Sequence, residues 1–181
     1  MTKNFKSKEP GIPYFATFTV IEWLNVFTKP QYISVLWDSL QYCRKEKGLK
    51  LYGFVFMTNH LHLIISADLE GVKLWQVIRD FKKFTAQKII QMMQKEENRR
   101  WILDVMKAAG AQNSANTQYQ FWIQDDGAEE IQSDKFFLQK LTYIHENPVR
   151  AQIVTDACSY AWSSARLYEN NDFHLIDRLE L

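Results

Sequence analysis

His60 and His62 are the residues of this chain whose spacing most directly permits chemistry. Alternate side chains of a strand share a face, so the two imidazoles would sit with Cα atoms about 6.5–7 Å apart and can share one metal ion. Leu61, Leu63 and Ile65 would then face a core. Further along, Tyr143 and Asn147 stand at i and i+4, one above the other on a helix, with Leu141 about 160° away from Tyr143. If that helix lies across the sheet beside the histidine strand, Asn147 can offer a carbonyl oxygen to the metal while Tyr143 presents its hydroxyl nearby. An N/N/O set suits magnesium or manganese less obviously than zinc, but a substrate phosphate would add hard oxygens. Each piece has a plain alternative: histidines on a half-buried strand, a tyrosine packed at a helix edge, an asparagine ending a helix before Pro148. His145, two residues from Tyr143, points to nearly the opposite side and is left outside the site. His174 has no local feature favouring a ligand role.

The elements that would carry these residues are legible in outline. Gly11–Val20 alternates Tyr14, Ala16, Phe18 and Val20 against Phe15, Thr17 and Thr19, as a first strand does. Pro30 near a helix start, with Thr28 as a cap, opens an amphipathic helix through Ile33, Leu36, Trp37 and Leu40 that closes near Gly48. Leu49–Met57 and His60–Ser66 read as a hairpin about a Thr58-Asn59 turn. Leu74, Val77, Ile78 and Phe81 mark a long second helix with Arg79, Lys82 and Lys83 on its other face. Ala108–Gln118 reads as a mobile loop. Of Tyr119–Gln124 and Glu129–Gln132, separated by the acidic turn 125–127, one should complete the sheet. Ser133 caps a third helix with Phe137, Leu141 and Ile144 on its apolar side, expected to stop around Asn147 because Pro148 follows. The order predicts an α+β, ferredoxin-like sandwich: an antiparallel sheet, helices on one face, and an appended tyrosine-bearing helix. A single domain is expected over residues 1–181, with a core at about 11–168 and a tail at 169–181.

Bulk composition narrows the function classes. With 181 residues, 46% hydrophobic, the chain can bury a sizeable core. Its 22 Lys and Arg against 21 Asp and Glu give no global argument for nucleic acid. The local argument is better: residues 71–107 hold nine basic side chains against four acidic ones, so Arg79, Lys82 and Lys83 are the candidate DNA contacts, against the alternative of a solvated helix face. Tyr52, Tyr119 and Trp122 could stack on unpaired bases, or lie in the core. Cys43 and Cys158 make no disulfide framework, and neither an apolar leader nor a membrane span is evident. A soluble, cytoplasmic protein is expected.

Four blocks resemble a known family. Val55–Ser66 (VFMTNHLHLIIS) looks like the HUH strand of single-tyrosine transposases. Tyr143–Arg150 (YIHENPVR), Trp162–Ala165 (WSSA) and the FWIQD stretch at Trp122 resemble the REP-associated branch of these IS200-like proteins, in the family's order. The resemblance implies His60, His62 and Asn147 as ligands of Mg²⁺ or Mn²⁺ and Tyr143 as nucleophile. It also implies cleavage and rejoining of single-stranded DNA beside a REP-like hairpin through a 5′-phosphotyrosine, by a monomer or homodimer. Three positions depart from the pattern: Thr58 stands where proline is common, Gln152 where glycine is usual, and Asp126-Gly127 where some relatives carry Asn-His. Two other readings stand beside this one, a non-catalytic nucleic-acid-binding module of ferredoxin-like fold and a metal hydrolase of a small phosphoester in which Tyr143 only packs. The tail Asn171–Leu181 could cover its own site or reach a second subunit.

Overall fold

The computed structural model describes residues 11–67, 71–112, 118–124 and 128–179. Strands β1 (Tyr14–Thr19), β2 (Leu49–Phe56), β3 (His60–Ala67) and β4 (Ala128–Glu130) form one antiparallel sheet in the order β2-β3-β1-β4. Helices α1 (Pro30–Lys47) and α2 (Leu74–Met93) make the crossovers. This is the ferredoxin-like arrangement that the element order predicts.

Strand alternation divides the sheet between two cores. Ala16 and Phe18 lie opposite Leu63 and Leu61, and with Leu51, Phe54 and Ile65 they bury against α1 and α2. The other face presents Phe15, Val55 and Ile64 to α4 (Asp134–Arg150), whose Phe137, Leu141 and Ile144 fill a second, smaller core. A one-residue slip in register would exchange these faces, so the two cores lock the histidine pair onto the α4 side.

Local signals explain most boundaries. Gly48 ends α1 in the left-handed conformation, at φ 63°. Lys29, not Thr28, holds the cap position of α1 and makes no side-chain cap, and the Thr28 hydroxyl accepts from Arg99 instead. Glu96 ties the end of α2 to the start of α1, accepting from Lys29, Gln31 and Tyr32. Ser133 caps α4 through Phe136 N–H, as its sequence suggests.

Two expectations need correction. A further helix, α3 (Arg100–Ala111), buries Ile102, Leu103, Met106 and Gly110, so the start of the expected mobile loop is helical. Residues 113–117 of that loop, and the acidic turn 125–127, lie outside the described residues. Of the two extended candidates one completes the sheet, as expected: β4 pairs with β1, while Trp122 makes only an isolated bridge to Val20 beyond its end. Finally, α4 passes through Pro148 to Arg150. Proline removes one helical N–H, but the ring is buried, and Gln152 N–H to Val149 O and Ile153 N–H to Pro148 O, each 2.9 Å, close a Schellman end.

The segment after α4 seals the other edge. Phe56 N–H donates to Trp162 O and Ser164 N–H to Phe54 O, each at 2.9 Å, so the WSSA stretch extends the sheet beside β2 before α5 (Ala165–Glu169). The described tail packs on its own chain: Asp177 accepts from Leu51 N–H and Arg44. Leu51 pairs with Ile65, at the opposite end of β3 from His60, so these residues do not cover the histidine pair.

Candidate active site

β3 presents His60 and His62 on the α4 face, with Thr17 and Val55 flanking His62 across the sheet. The imidazole centroids are 4.8 Å apart. Each ring has its Nδ1 engaged, that of His62 by Thr17 Oγ1 at 2.8 Å and that of His60 by Asn59 Oδ1 at 2.7 Å. The Asn59 oxygen can only accept, so His60 carries its proton on Nδ1 and keeps the Nε2 lone pair free, as a metal-ligating histidine requires. Burial, with the nearby charges of His60, Arg150 and Lys140, drives His62 down to about 3; burial alone lowers His60. Both rings are therefore neutral near pH 7, the form that binds a cation.

α4 delivers Tyr143 to the same place. Its ring centroid lies 5.2 Å from His62 and 5.8 Å edge-on to Phe15, which itself stacks on His62 at 5.4 Å. Tyr143 is still 40% exposed, so the phenol is accessible. Asn147 follows one turn later on the same face, half-buried, and its side-chain amide has no hydrogen-bond partner among the described residues. His145 turns away, as its position predicts: it bonds Ser164 Oγ at 2.9 Å, and burial lowers it to about 4.

Residues without a sequence-based assignment complete the surroundings. Arg150 lies 4.2 Å over the Tyr143 ring and donates to the Tyr143 carbonyl at 2.8 Å. It stands seven residues from Tyr143, two turns along one face, a signal hidden by the expected stop at Asn147. Lys140 sits 4.4 Å over Phe15 while paired to Glu129 at 2.8 Å. On the other side, the Trp23 ring is 6.0 Å from His60. Glu22 and Trp23 both adopt left-handed backbone, at φ 53° and 54°, which costs about 1–2 kcal/mol each for L-residues. No sequence signal marks that pair. Thr58 holds the hairpin turn to the preceding loop, with its hydroxyl donating to Asn25 Oδ1 at 2.8 Å and its carbonyl accepting from Phe27.

Arg79, Lys82 and Lys83 meet in a groove of about 760 Å³ between α2 and residues 118–122, on the opposite face of the sheet. Lys82 also bonds Ile123 O at 3.1 Å and lies over Phe18 and Trp122, so its charge is partly committed to the protein. Gly110 permits the groove wall, because a Cβ there would stand 2.7 Å from the Gln118 carbonyl. Tyr52 and Trp122 are core residues, 7% and 6% exposed, which removes both as stacking platforms; Tyr119 is half-buried.

An antiparallel ferredoxin-like sheet with a histidine pair on one strand and a tyrosine brought against it by an appended helix defines the class of architecture. Comparison with known proteins supplies the family. The model for IS200-like transposases matches residues 13–105, over half of the chain, and the chain belongs to that family. The match includes His60 and His62; Tyr143 and Asn147 lie beyond it. Among solved structures, a REP-associated tyrosine transposase bound to a REP hairpin is 14% identical, with 99% of this chain and 93% of that one covered and a TM-score of 0.68. At that identity the likeness establishes the fold. A transposase candidate from Deinococcus radiodurans R1 (17% identical, 81% and 97% covered, TM-score 0.46) and a bacterial tRNA(His) guanylyltransferase-like protein with GTP (14%, 83% and 71%, 0.43) are too distant to carry an argument. No curated protein matches the sequence. Among the described residues no helix is long and apolar enough to cross a membrane.

Proposed function

We propose that the chain is a single-tyrosine nuclease and strand-transferase that cuts and rejoins single-stranded DNA beside a hairpin, with Tyr143 as nucleophile. The observation that carries this is the contact of Tyr143 with His62, 5.2 Å between ring centroids, between elements distant in sequence and with the phenol still exposed. A core tyrosine would be covered.

The donor set fits a divalent cation: two neutral imidazoles with Nδ1 engaged, and the Asn147 amide as an oxygen donor. Mg²⁺ or Mn²⁺ bound there would polarise the scissile phosphate as a Lewis acid. Tyr143 Oη forms the new bond to phosphorus as the bond from phosphorus to O3′ breaks, and the phenolic proton is balanced by protonation of the departing 3′ oxygen. The Arg150 guanidinium over the Tyr143 ring is placed to offer charge to the transferring phosphoryl group. Phe15 and His62 hold the tyrosine ring in place. The phosphotyrosine ester conserves the bond, so a second 3′-hydroxyl can reverse the step without ATP. The groove of Arg79, Lys82 and Lys83 is suited to the duplex stem, with the unpaired strand passing round the Val20–Trp122 edge to the histidines.

The test is incubation with manganese and labelled hairpin DNA bearing single-stranded flanks, followed by a denaturing gel. Wild type should give a covalent adduct. Tyr143→Phe should give none while binding DNA normally, and His60→Ala or His62→Ala should lose both the adduct and its metal dependence. An adduct in the Phe variant would refute the assignment. Binding without any adduct would instead favour a non-catalytic module.

A further inference from the structure

We propose that Trp23 is a stacking platform for an unpaired base of the strand that passes the His60–His62 pair, an inference that rests on the DNA-processing reading above. Trp23 is 60% exposed. Other exposed aromatics, Tyr42, Phe84 and Trp101, project from regular helices, where a surface ring asks little of the backbone. Trp23 is different because two successive residues, Glu22 and itself, are held in left-handed conformation to present it. Such strain persists only where surrounding contacts over-determine it.

Those contacts come from Asn59, just before the histidine strand, and from Phe121. Val20 N–H donates to Asn59 O at 2.9 Å, and Ile21 N–H to Phe121 O at 2.8 Å, fixing the chain on both sides. The Asn59 side chain then works at both ends: its Nδ2 donates to the Trp23 carbonyl at 3.2 Å, while its Oδ1 engages His60 Nδ1 at 2.7 Å. One amide therefore sets the Trp23 backbone and the His60 ring together. The indole lies 6.0 Å from His60, at 66° to it, within a nucleotide's reach of any phosphate held at the histidines. A bare indole face reads no donor or acceptor pattern, so it takes any base and holds larger ring systems more strongly. In this role Trp23 orients the strand and does not touch the reacting atoms.

The test uses the full chain in chelator, so that no cleavage occurs, and two probes of about twelve nucleotides: oligothymidylate and an abasic oligomer of equal length and charge. Trp23→Ala should bind oligothymidylate about five- to a hundredfold more weakly than wild type and the abasic oligomer equally well, and Trp23→Phe should restore most of the difference. Equal weakening on both probes, or on neither, would overturn the inference. The covalent-adduct assay keeps the two readings apart. Adduct formation by wild type, with Trp23→Ala unaffected on both probes, removes only the platform. Base-dependent loss in Trp23→Ala, with no adduct from wild type, supports the platform and removes the nuclease.

Discussion

Substituting Ser164→Ala removes one oxygen and should loosen the join between the tyrosine helix and the sheet. Ser164 is fully buried, and its Oγ accepts from Phe54 N–H at 3.0 Å and meets His145 Nε2 at 2.9 Å. Its alternative acceptor, Phe54 O, is farther at 3.3 Å, so the hydroxyl proton belongs to the His145 contact. Alanine would orphan a backbone N–H of β2 and a ring nitrogen of α4 at once. Each buried unsatisfied group costs about 1–3 kcal/mol, and the half-buried imidazole can recover some of that from water, so the net loss should be about 2–4 kcal/mol. With a urea slope of about 1–3 kcal/mol per molar for a protein of modest size, the midpoint should fall by about 1–2 M. Urea titration followed by circular dichroism measures it. His145→Ala should lose part of the same energy, and the double variant less than the sum, by roughly 0.5–3 kcal/mol of coupling. A midpoint within experimental scatter of wild type, or strict additivity, would show that WSSA holds α4 by packing alone.

Other perturbations test separate parts of the structure. Gln152 takes φ 57° at the end of α4, so Gln152→Gly should relieve about 1–2 kcal/mol of strain against about 0.5–1 kcal/mol of glycine entropy and raise the melting temperature slightly. Arg79→Ala with Lys83→Ala should lower the slope of log affinity against log salt by about 1.8 on hairpin DNA, two duplex contacts at about 0.9 each, and an unchanged slope would move the stem out of the groove. Leaving Lys82 intact in that variant avoids breaking its bond to Ile123. Glu96 is held below the usual glutamate pKa chiefly by its bond to Lys29, then by Tyr32 and the charges of Lys29 and Arg99. Its folded pKa is depressed, so its stabilisation is complete above about pH 4.3 and is lost as pH falls through the folded value. The urea midpoints of wild type and Glu96→Gln should therefore differ at pH 7 and converge in acid, and a constant gap would contradict the assignment.

Period and punctuation carry only so far along this chain. The alternation in Tyr14–Thr19 and His60–Ala67 settles which residues share a face, because a pleated strand has a period of two. Gly48 and Ser133 announce helix ends through conformations and bonds made within a few residues. The i, i+4 spacing of Tyr143 and Asn147 likewise needs only the helix to be true. Signals fail where a distant partner decides. Pro148 reads as a stop until its burial and the Schellman bonds beyond it are known, and Arg150 comes over Tyr143 only because the helix continues. Ala108–Ala111 reads as a loop, since its small residues become helical through the packing of Met106 and Gly110. Nothing local predicts the left-handed backbone at Glu22 and Trp23, which Asn59 and Phe121 impose from other parts of the chain. The juxtaposition of Tyr143 with His62 is tertiary in the same sense: the sequence supplies two helix and strand faces, and only the second hydrophobic core, Phe15, Val55 and Ile64 against Leu141 and Ile144, brings them together.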